Sequence, residues 1–317
     1  MGTSVFLRMT VESHDVPDRE ILFDIRADVE RLFNRHMDAP RLWYPHEQIP
    51  WGEGEDFQTS PWSPDQYVTS EGVRSSIYVN LLTEDNLPYY TTTILGHAPK
   101  DHPIREWSYQ WTAEENRHAM VMRDWVNISR CIDPVVLEDG RRIQMTSGEY
   151  PEPETFSDLI SYVAFQERAT QIAHRNTASK LPKEDRVGRN VLGLVAGDET
   201  KHYMFYRDLV GAALLIDPST IVQSLERQIE RFAMPGTGIP RFTRHAVRIA
   251  REGIYGLQQF LEDVVEPMVD SWKISALEGL NGEAEKARER LFASLDTLRA
   301  SVARAAERAA GVAGAPA

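Results

Sequence analysis

The chain has 317 residues, 42% of them hydrophobic and 26% charged, with a formal net charge of −13; it is long enough to bury a full core as one large domain, and its composition is ordinary for a globular protein. The acidic balance argues against sequence-independent binding to nucleic acid, which needs a broad basic surface, and no apolar run of about eighteen residues is present to span a membrane as a helix. The single cysteine, Cys131, rules out an internal disulfide and fits a reducing cytoplasm.

The N-terminal MGTSVFLRMTVESHD lacks the charged stretch followed by a long apolar run that marks a secretion signal, so a cytoplasmic location is expected. Residues 18–38 place Ile21, Leu22, Ile25, Val29, Leu32 and Phe33 on one stripe, which predicts an amphipathic helix. The segment 43–64 differs. Pro45, Pro50, Pro61 and Pro64 alternate with Trp43, Tyr44, Trp51 and Trp62, predicting an irregular lid over the body. Helical patterns return at 68–97, 103–130, 155–180, 185–211 and 218–233, the last stopped by Met234-Pro235-Gly236-Thr237-Gly238. Further helices are predicted at 240–252, 257–275 and 282–309, and the Gly-, Ala- and Pro-containing residues 310–317 are expected to fray. No strand-type alternation, internal repeat or Pro/Ser-rich linker interrupts the pattern, so a single mainly helical domain spanning 1–317 is expected.

Four of the predicted helices carry acidic or histidine residues in a particular order. Glu84 stands in LLTEDNLPYY, Glu115 and His118 in WTAEENRHAM, Glu167 in AFQERAT, and Glu199 and His202 in GDETKHYMFY. Positions i and i+3 share a helix face, so each Glu-x-x-His pair can offer a carboxylate and an imidazole to one ion. Two Glu-x-x-His matches alone are weak, being close to what chance gives for this composition. The spacing adds weight, because Glu84 to Glu115 is 31 residues and Glu167 to Glu199 is 32. The lone glutamates also continue apolar stripes, Ile77 and Leu81 before Glu84, Val163 and Ala164 before Glu167; a carboxylate on a buried stripe must be paired or bind a metal. Surface helix charge is the competing reading. Four carboxylates and two imidazoles from four helices are the donor set of di-iron and di-manganese helix bundles, and such donors suit iron or manganese better than closed tetrahedral zinc. Pro88, four residues past Glu84, cannot donate to the Glu84 carbonyl and predicts a bend beside that residue.

TEDNLP, WTAEENRH, FQERAT with His174-Arg175-Asn176-Thr177, and Asp198-Glu199 with His202 resemble the motifs of the soluble acyl-ACP desaturases, in the same order over about residues 43–272. The resemblance implies an all-α fold, a ferritin-like four-helix bundle core with additional flanking helices, in a homodimer with two iron ions per chain. It implies that Glu84, Glu115, His118, Glu167, Glu199 and His202 are the iron ligands and that Glu115 and Glu199 bridge. Thr170 would assist proton delivery beside the oxygen site; a hydroxyl bonded back to its own helix is the alternative. Asp198 would hold His118, and Trp43 would feed electrons through Asp198, with a packing role in the lid as the alternative. Asp85, Thr200-Lys201 and the alanine-rich C-terminus depart from the family pattern; the six ligand positions do not.

The implied activity is O₂-dependent desaturation of an acyl chain on acyl carrier protein, with electrons from a ferredoxin. Both partners are typically acidic, so a local basic patch is expected on this acidic chain. Arg241, Arg244, Arg248 and Arg251 fall on one helical stripe, which Arg227 and Arg231 could extend; a solvated face paired with neighbouring acids is the alternative. His245 reads as a surface or capping histidine rather than a ligand. A hydroxylase or N-oxygenase acting on a carrier-bound substrate would share the same ligands. A ferritin-like iron-handling protein is disfavoured by the helices after residue 212 and by the lid, and a ribonucleotide reductase radical subunit by a glutamate as the first ligand. Chain length, double-bond position, carrier protein against coenzyme A, and the electron donor are not encoded in any pattern of this kind.

Overall fold

A computed structural model describes the backbone of residues 19–39, 42–148, 150–236 and 238–313, and side chains within 21–308. The N-terminal stretch read against secretion lies outside the described residues. Among them the chain is helical and contains no strand: α1 (Arg19–Asp24), α2 (Arg26–Asp38), α3 (Pro45–Gln48), α4 (Glu71–Glu84), α5 (Leu87–His97), α6 (Pro103–Ser129), α7 (Pro134–Ser147), α8 (Phe156–Lys180), α9 (Arg186–Ile216), α10 (Pro218–Arg231), α11 (Phe242–Arg251), α12 (Leu257–Gln259), a π-helical stretch (Phe260–Val265), α13 (Glu266–Ser271) and α14 (Gly282–Ala313).

Helices α4, α6, α9 and α8 pack in a closed ring, each against the next, and form the four-helix core. Around it α2 covers α6 and α9, α5 lies on α6, α11 and α7 lie on α4, and α10 with α14 covers α8. Starts are set locally. Asp133, Thr155, Asp185 and Asp217 accept hydrogen bonds from first-turn amides, with prolines at the first position of α7 and α10. The packing explains the stripes: Trp107, Trp111, Phe165, Phe205 and Leu209 are fully buried on one side of the ring, and Leu81, Val121, Trp125 and Val195 on the other.

Three differences from the sequence reading have physical causes. The helix expected over 68–97 is two, because Pro88 supplies no amide to the Glu84 carbonyl; α4 stops at Glu84 and α5 restarts with the proline in its first turn. The helix α7 was not anticipated. It turns only Leu137, Gly140 and Gln144 inward, too few apolar positions for a periodic signal, although Asp133-Pro134 is a helix-start pair. The segment 257–275 is not one regular helix either. Pro267 lacks the amide that would bond the Asp263 carbonyl, and the π-helical turns precede it; that carbonyl instead accepts from Arg168 Nε at 3.0 Å. At the far end α14 continues to Ala313, past the point where fraying was expected, and 314–317 lie outside the described residues.

The segment 43–64 is irregular, with a short α3 and single 3₁₀ turns, and Arg130 fastens it. This residue closes α6 in the left-handed conformation, φ 57°. Its guanidinium donates to the Glu55 and Ser60 carbonyls and to Gln66 Oε1 and lies over the Phe57 ring, while its carbonyl accepts from Trp62 Nε1.

Candidate metal centre

The ring of four helices brings all six predicted residues to one buried place. Glu84 comes from α4, Glu115 and His118 from α6, Glu167 from α8, and Glu199 and His202 from α9; none is more than 6% exposed. His118 Nδ1 lies 3.6 Å from Glu84, 3.5 Å from Glu115 and 3.3 Å from Glu199. His202 Nδ1 lies 2.8 Å from Glu115 and 3.7 Å from both Glu167 and Glu199. Two ligand sets result, Glu84-Glu115-His118-Glu199 and Glu115-Glu167-Glu199-His202, and the carboxylates common to both are Glu115 and Glu199.

The donor chemistry fits a pair of cations. Glu167 Oε2, both Glu199 oxygens and the His118 Nδ1 are buried without a hydrogen-bond partner, and four carboxylates crowded out of water require compensation. Burial, with the charges of Glu199 and Glu115, pushes the Glu167 carboxyl well above its usual range. Burial alone would lower the two imidazoles, yet the surrounding carboxylates hold both well above the ordinary histidine value. Two divalent ions would balance the four carboxylates, and binding them would displace any protons that neutralise such a cluster.

Neighbouring side chains aim the six. Trp111 Nε1 donates to Glu167 Oε1 at 3.0 Å, and His174 Nε2 lies 2.9 Å from Glu84 Oε1. Asp198 Oδ2 accepts from Trp43 Nε1 at 2.9 Å and Arg117 Nη2 at 2.6 Å and lies 3.4 Å from His118 Nε2; Lys201 bonds Asp198 Oδ1 at 2.7 Å. Burial would raise the Asp198 carboxyl, but hydrogen bonds from His118 and Lys201 hold it well below the usual carboxylate range. Trp43 is 5% exposed and lies parallel to His118 with ring centres 6.3 Å apart, so Trp43, Asp198 and His118 are in contact. Sequence reading missed Glu114, His36 and the contact of His174 with Glu84. Glu114 Oε2 lies 2.7 Å from His202 Nε2, and His36 Nε2 lies 3.0 Å from Glu114 Oε1. The available signal was an acid immediately before each Glu-x-x-His, Glu114 in one motif and Asp198 in the other.

An apolar cavity of about 570 Å³ lies between α4, α8 and α11. Its wall includes Asn80 and Thr83, just before Glu84 on α4, and Thr170, one turn past Glu167 on α8; Phe232, Met234 and Phe260 line it elsewhere. Thr170 is 6% exposed and its hydroxyl donates to the Gln166 carbonyl at 3.0 Å, the back-bonded arrangement weighed as the alternative. Helix α11 walls the same cavity through Phe242, Ala246 and Ala250. On its outer side Arg244 and Arg251 are exposed and flank Val247, also at the cavity wall. The basic stripe is less uniform than its spacing suggested. Arg241 precedes the helix in the left-handed conformation, Arg248 pairs with Glu71 at 2.7 Å, and Arg227 turns inward to Asp158 at 2.8 Å. Among the described residues no carboxylate pairs with Arg241, Arg244 or Arg251. His245 neither caps a helix nor joins the cluster; its Nδ1 lies 3.0 Å from Ser75 Oγ.

No helix among the described residues is long and apolar enough to cross a membrane. The sequence profile of the fatty acid desaturase family matches residues 17–315. A Mycobacterium tuberculosis protein assigned by name to the acyl-carrier-protein desaturases, DesA1, is 36% identical over 290 residues, 88% of this chain and 85% of that protein. The chloroplastic stearoyl-acyl-carrier-protein 9-desaturase of Spinacia oleracea is 27% identical over 323 residues, 94% of this chain and 79% of its own. The solved structure of DesA2 from M. tuberculosis superposes with a TM-score of 0.68 at 23% identity, covering 82% of this chain and 97% of that one, which establishes the ferritin-like helical fold. With the profile spanning nearly the whole chain, and a relative above a third identical across most of both proteins, this chain belongs to the fatty acid desaturase family and is an oxidoreductase.

Proposed function

We propose that this chain desaturates an acyl group carried on acyl carrier protein, at a centre of two iron ions held by Glu84, Glu115, His118, Glu167, Glu199 and His202. The observation that carries the reading is an apolar cavity whose wall includes Thr170 and Thr83, each within one turn of a candidate ligand. When bound, two ferrous ions supply the redox chemistry that an unactivated methylene demands, since no side chain can remove such a proton. The overall balance is one –CH₂–CH₂– unit, O₂, two electrons and two protons giving –CH=CH– and two waters, with a ferredoxin-type protein as the electron donor.

The chain's own residues bind, orient and exclude. Glu115 and Glu199, common to both ligand sets, would be shared between the two ions, while Glu84 and Glu167 would each serve one, held at one carboxylate oxygen by the ring nitrogen of His174 and of Trp111 respectively. Phe232, Met234 and Phe260 keep water from the bound chain. Thr170 carries the one hydroxyl that α8 offers to the cavity wall and serves proton delivery once it swings from the Gln166 carbonyl. Trp43, the first residue of the lid, lies parallel to His118 and carries electrons inward through Asp198. Arg241, Arg244, Arg248 and Arg251 form the docking edge for an acidic carrier beside the cavity. Two copies of the chain assemble as a homodimer in the cytoplasm.

The test is iron content after anaerobic loading, then reaction with stearoyl- and palmitoyl-carrier protein, reduced ferredoxin and air. About two irons per chain and a product lacking two hydrogens are expected. Two irons with a hydroxylated product would move the reading to hydroxylation, and iron far above two per chain would move it to iron handling. No iron would overturn it.

A further inference from the structure

The two imidazoles of the cluster are backed by acids in a reciprocal way. On α9, Asp198 stands one residue before Glu199 and bonds His118 of α6. On α6, Glu114 stands one residue before Glu115 and bonds His202 of α9, at 2.7 Å. Each Glu-x-x-His helix thus carries the acid that backs the opposite helix's histidine. The second arm is built from different residues. Glu114 also takes Gln110 Nε2 at 2.7 Å and His36 Nε2 at 3.0 and 3.1 Å on its two oxygens. His36 belongs to α2, outside the four-helix ring, and is 7% exposed, its ring edge-on to Trp107 at 4.9 Å.

We propose that Glu114, locked by His36, is a positioning residue for His202, and that it gives the two metal positions separate supports: Glu114 and α2 for one, Asp198 and the lid for the other. A carboxylate that already collects N–H groups from Gln110 and His36 fixes His202 as the Nε2–H tautomer. Nδ1 is then left as the lone-pair nitrogen directed at Glu115, Glu167 and Glu199. His36 fixes Glu114 in turn, so the docking of α2 and the shape of one metal position are a single arrangement. This rests on the six-residue site proposed above.

The test is anaerobic Fe²⁺ titration of the full chain, followed by near-infrared circular dichroism, in which the two ferrous ions give separate bands. Glu114→Ala should weaken one of the two ions by roughly tenfold or more and shift one set of bands, while Asp198→Ala does so for the other set. Glu114→Gln keeps an acceptor for the His202 N–H and should restore affinity to within about threefold of the parent, which a merely structural role would not produce. His36→Leu should disturb the same bands as Glu114→Ala, and more weakly; it carries the test should Glu114→Ala fail to fold. Parent-like titration and bands in Glu114→Ala, or no rescue by Glu114→Gln, would overturn the inference while leaving the site intact. A parent protein that takes up no Fe²⁺ would instead overturn the site reading itself.

Discussion

Cys131 shows how far one side chain's surroundings set its chemistry. It is fully buried, and burial pushes its thiol up to about 12. An exposed cysteine near pH 8.5 is about half thiolate, the form that reacts. The folded protein should therefore resist iodoacetamide at that pH by a factor on the order of a thousand, while the urea-unfolded chain labels at once; rapid labelling of the native form would contradict the burial. The stability consequence has a definite sign. A thiol whose value is higher folded than unfolded contributes stability that is complete below about pH 8.5 and is lost as pH rises toward 12. The difference in urea midpoint between the parent and Cys131→Ala should accordingly shift against the parent between those values. At this same scale the candidate ligands were legible and their partners were not. Glu115 and His118 announce themselves three residues apart on one helix, whereas Glu114 and His36 are 78 residues apart and meet only because α2 folds over α6. Nothing in a single sequence reports such a contact.

Among the elements, helix positions followed from apolar periodicity, and the misreadings sit where periodicity gives no signal. Pro88 predicts a bend beside Glu84 and makes a full break. Helix α7 buries only Leu137, Gly140 and Gln144, so its inward face is nearly silent. The irregular 43–64 segment was legible as irregular, from its prolines and tryptophans, but the clasp that holds it was not. Arg130 makes that clasp through several hydrogen bonds from one charged group, and bonds of this kind contribute about 1.5–3 kcal/mol each where buried. Arg130 is 5% exposed, so solvent screening is slight. Arg130→Ala should free the stretch between Glu55 and Gln66 without unfolding the four-helix ring. Limited chymotrypsin digestion should then cut at Phe57 or Trp62 many times faster than in the parent. Equal digestion would show that the lid is held by something other than this arginine. If Trp43 serves as proposed, the same variant should also slow reduction of bound iron.

For the molecule as a whole, the cavity is what the sequence concealed, because its walls come from α4, α8, α10, α11 and the stretch after residue 254 and share no local pattern. Its placement beside α11 is what the proposed docking role of the arginine stripe rests on. An overall charge of −13 repels an acidic partner at long range, so capture depends on where positive charge is concentrated. Arg244 and Arg251 are exposed, unpaired among the described residues, and flank Val247 at the cavity wall, whereas Arg248 is already committed to Glu71. Of the arginines without a carboxylate partner, Arg244 and Arg251, which flank the cavity wall, should therefore dominate docking. Replacing both with glutamate should raise KM for the acyl-carrier substrate by roughly tenfold or more, mostly through slower association, while kcat and iron content stay near the parent. Raising ionic strength from about 0.05 to 0.2 M should reduce kcat/KM of the parent and leave the double variant much less affected, since the Debye length shrinks below the reach of the stripe. Arg248→Glu, which removes a partner already bonded to Glu71, should have the smaller effect on KM. A larger effect from Arg248 than from the Arg244 and Arg251 pair would place the docking edge on the Glu71 side of α11, away from the cavity.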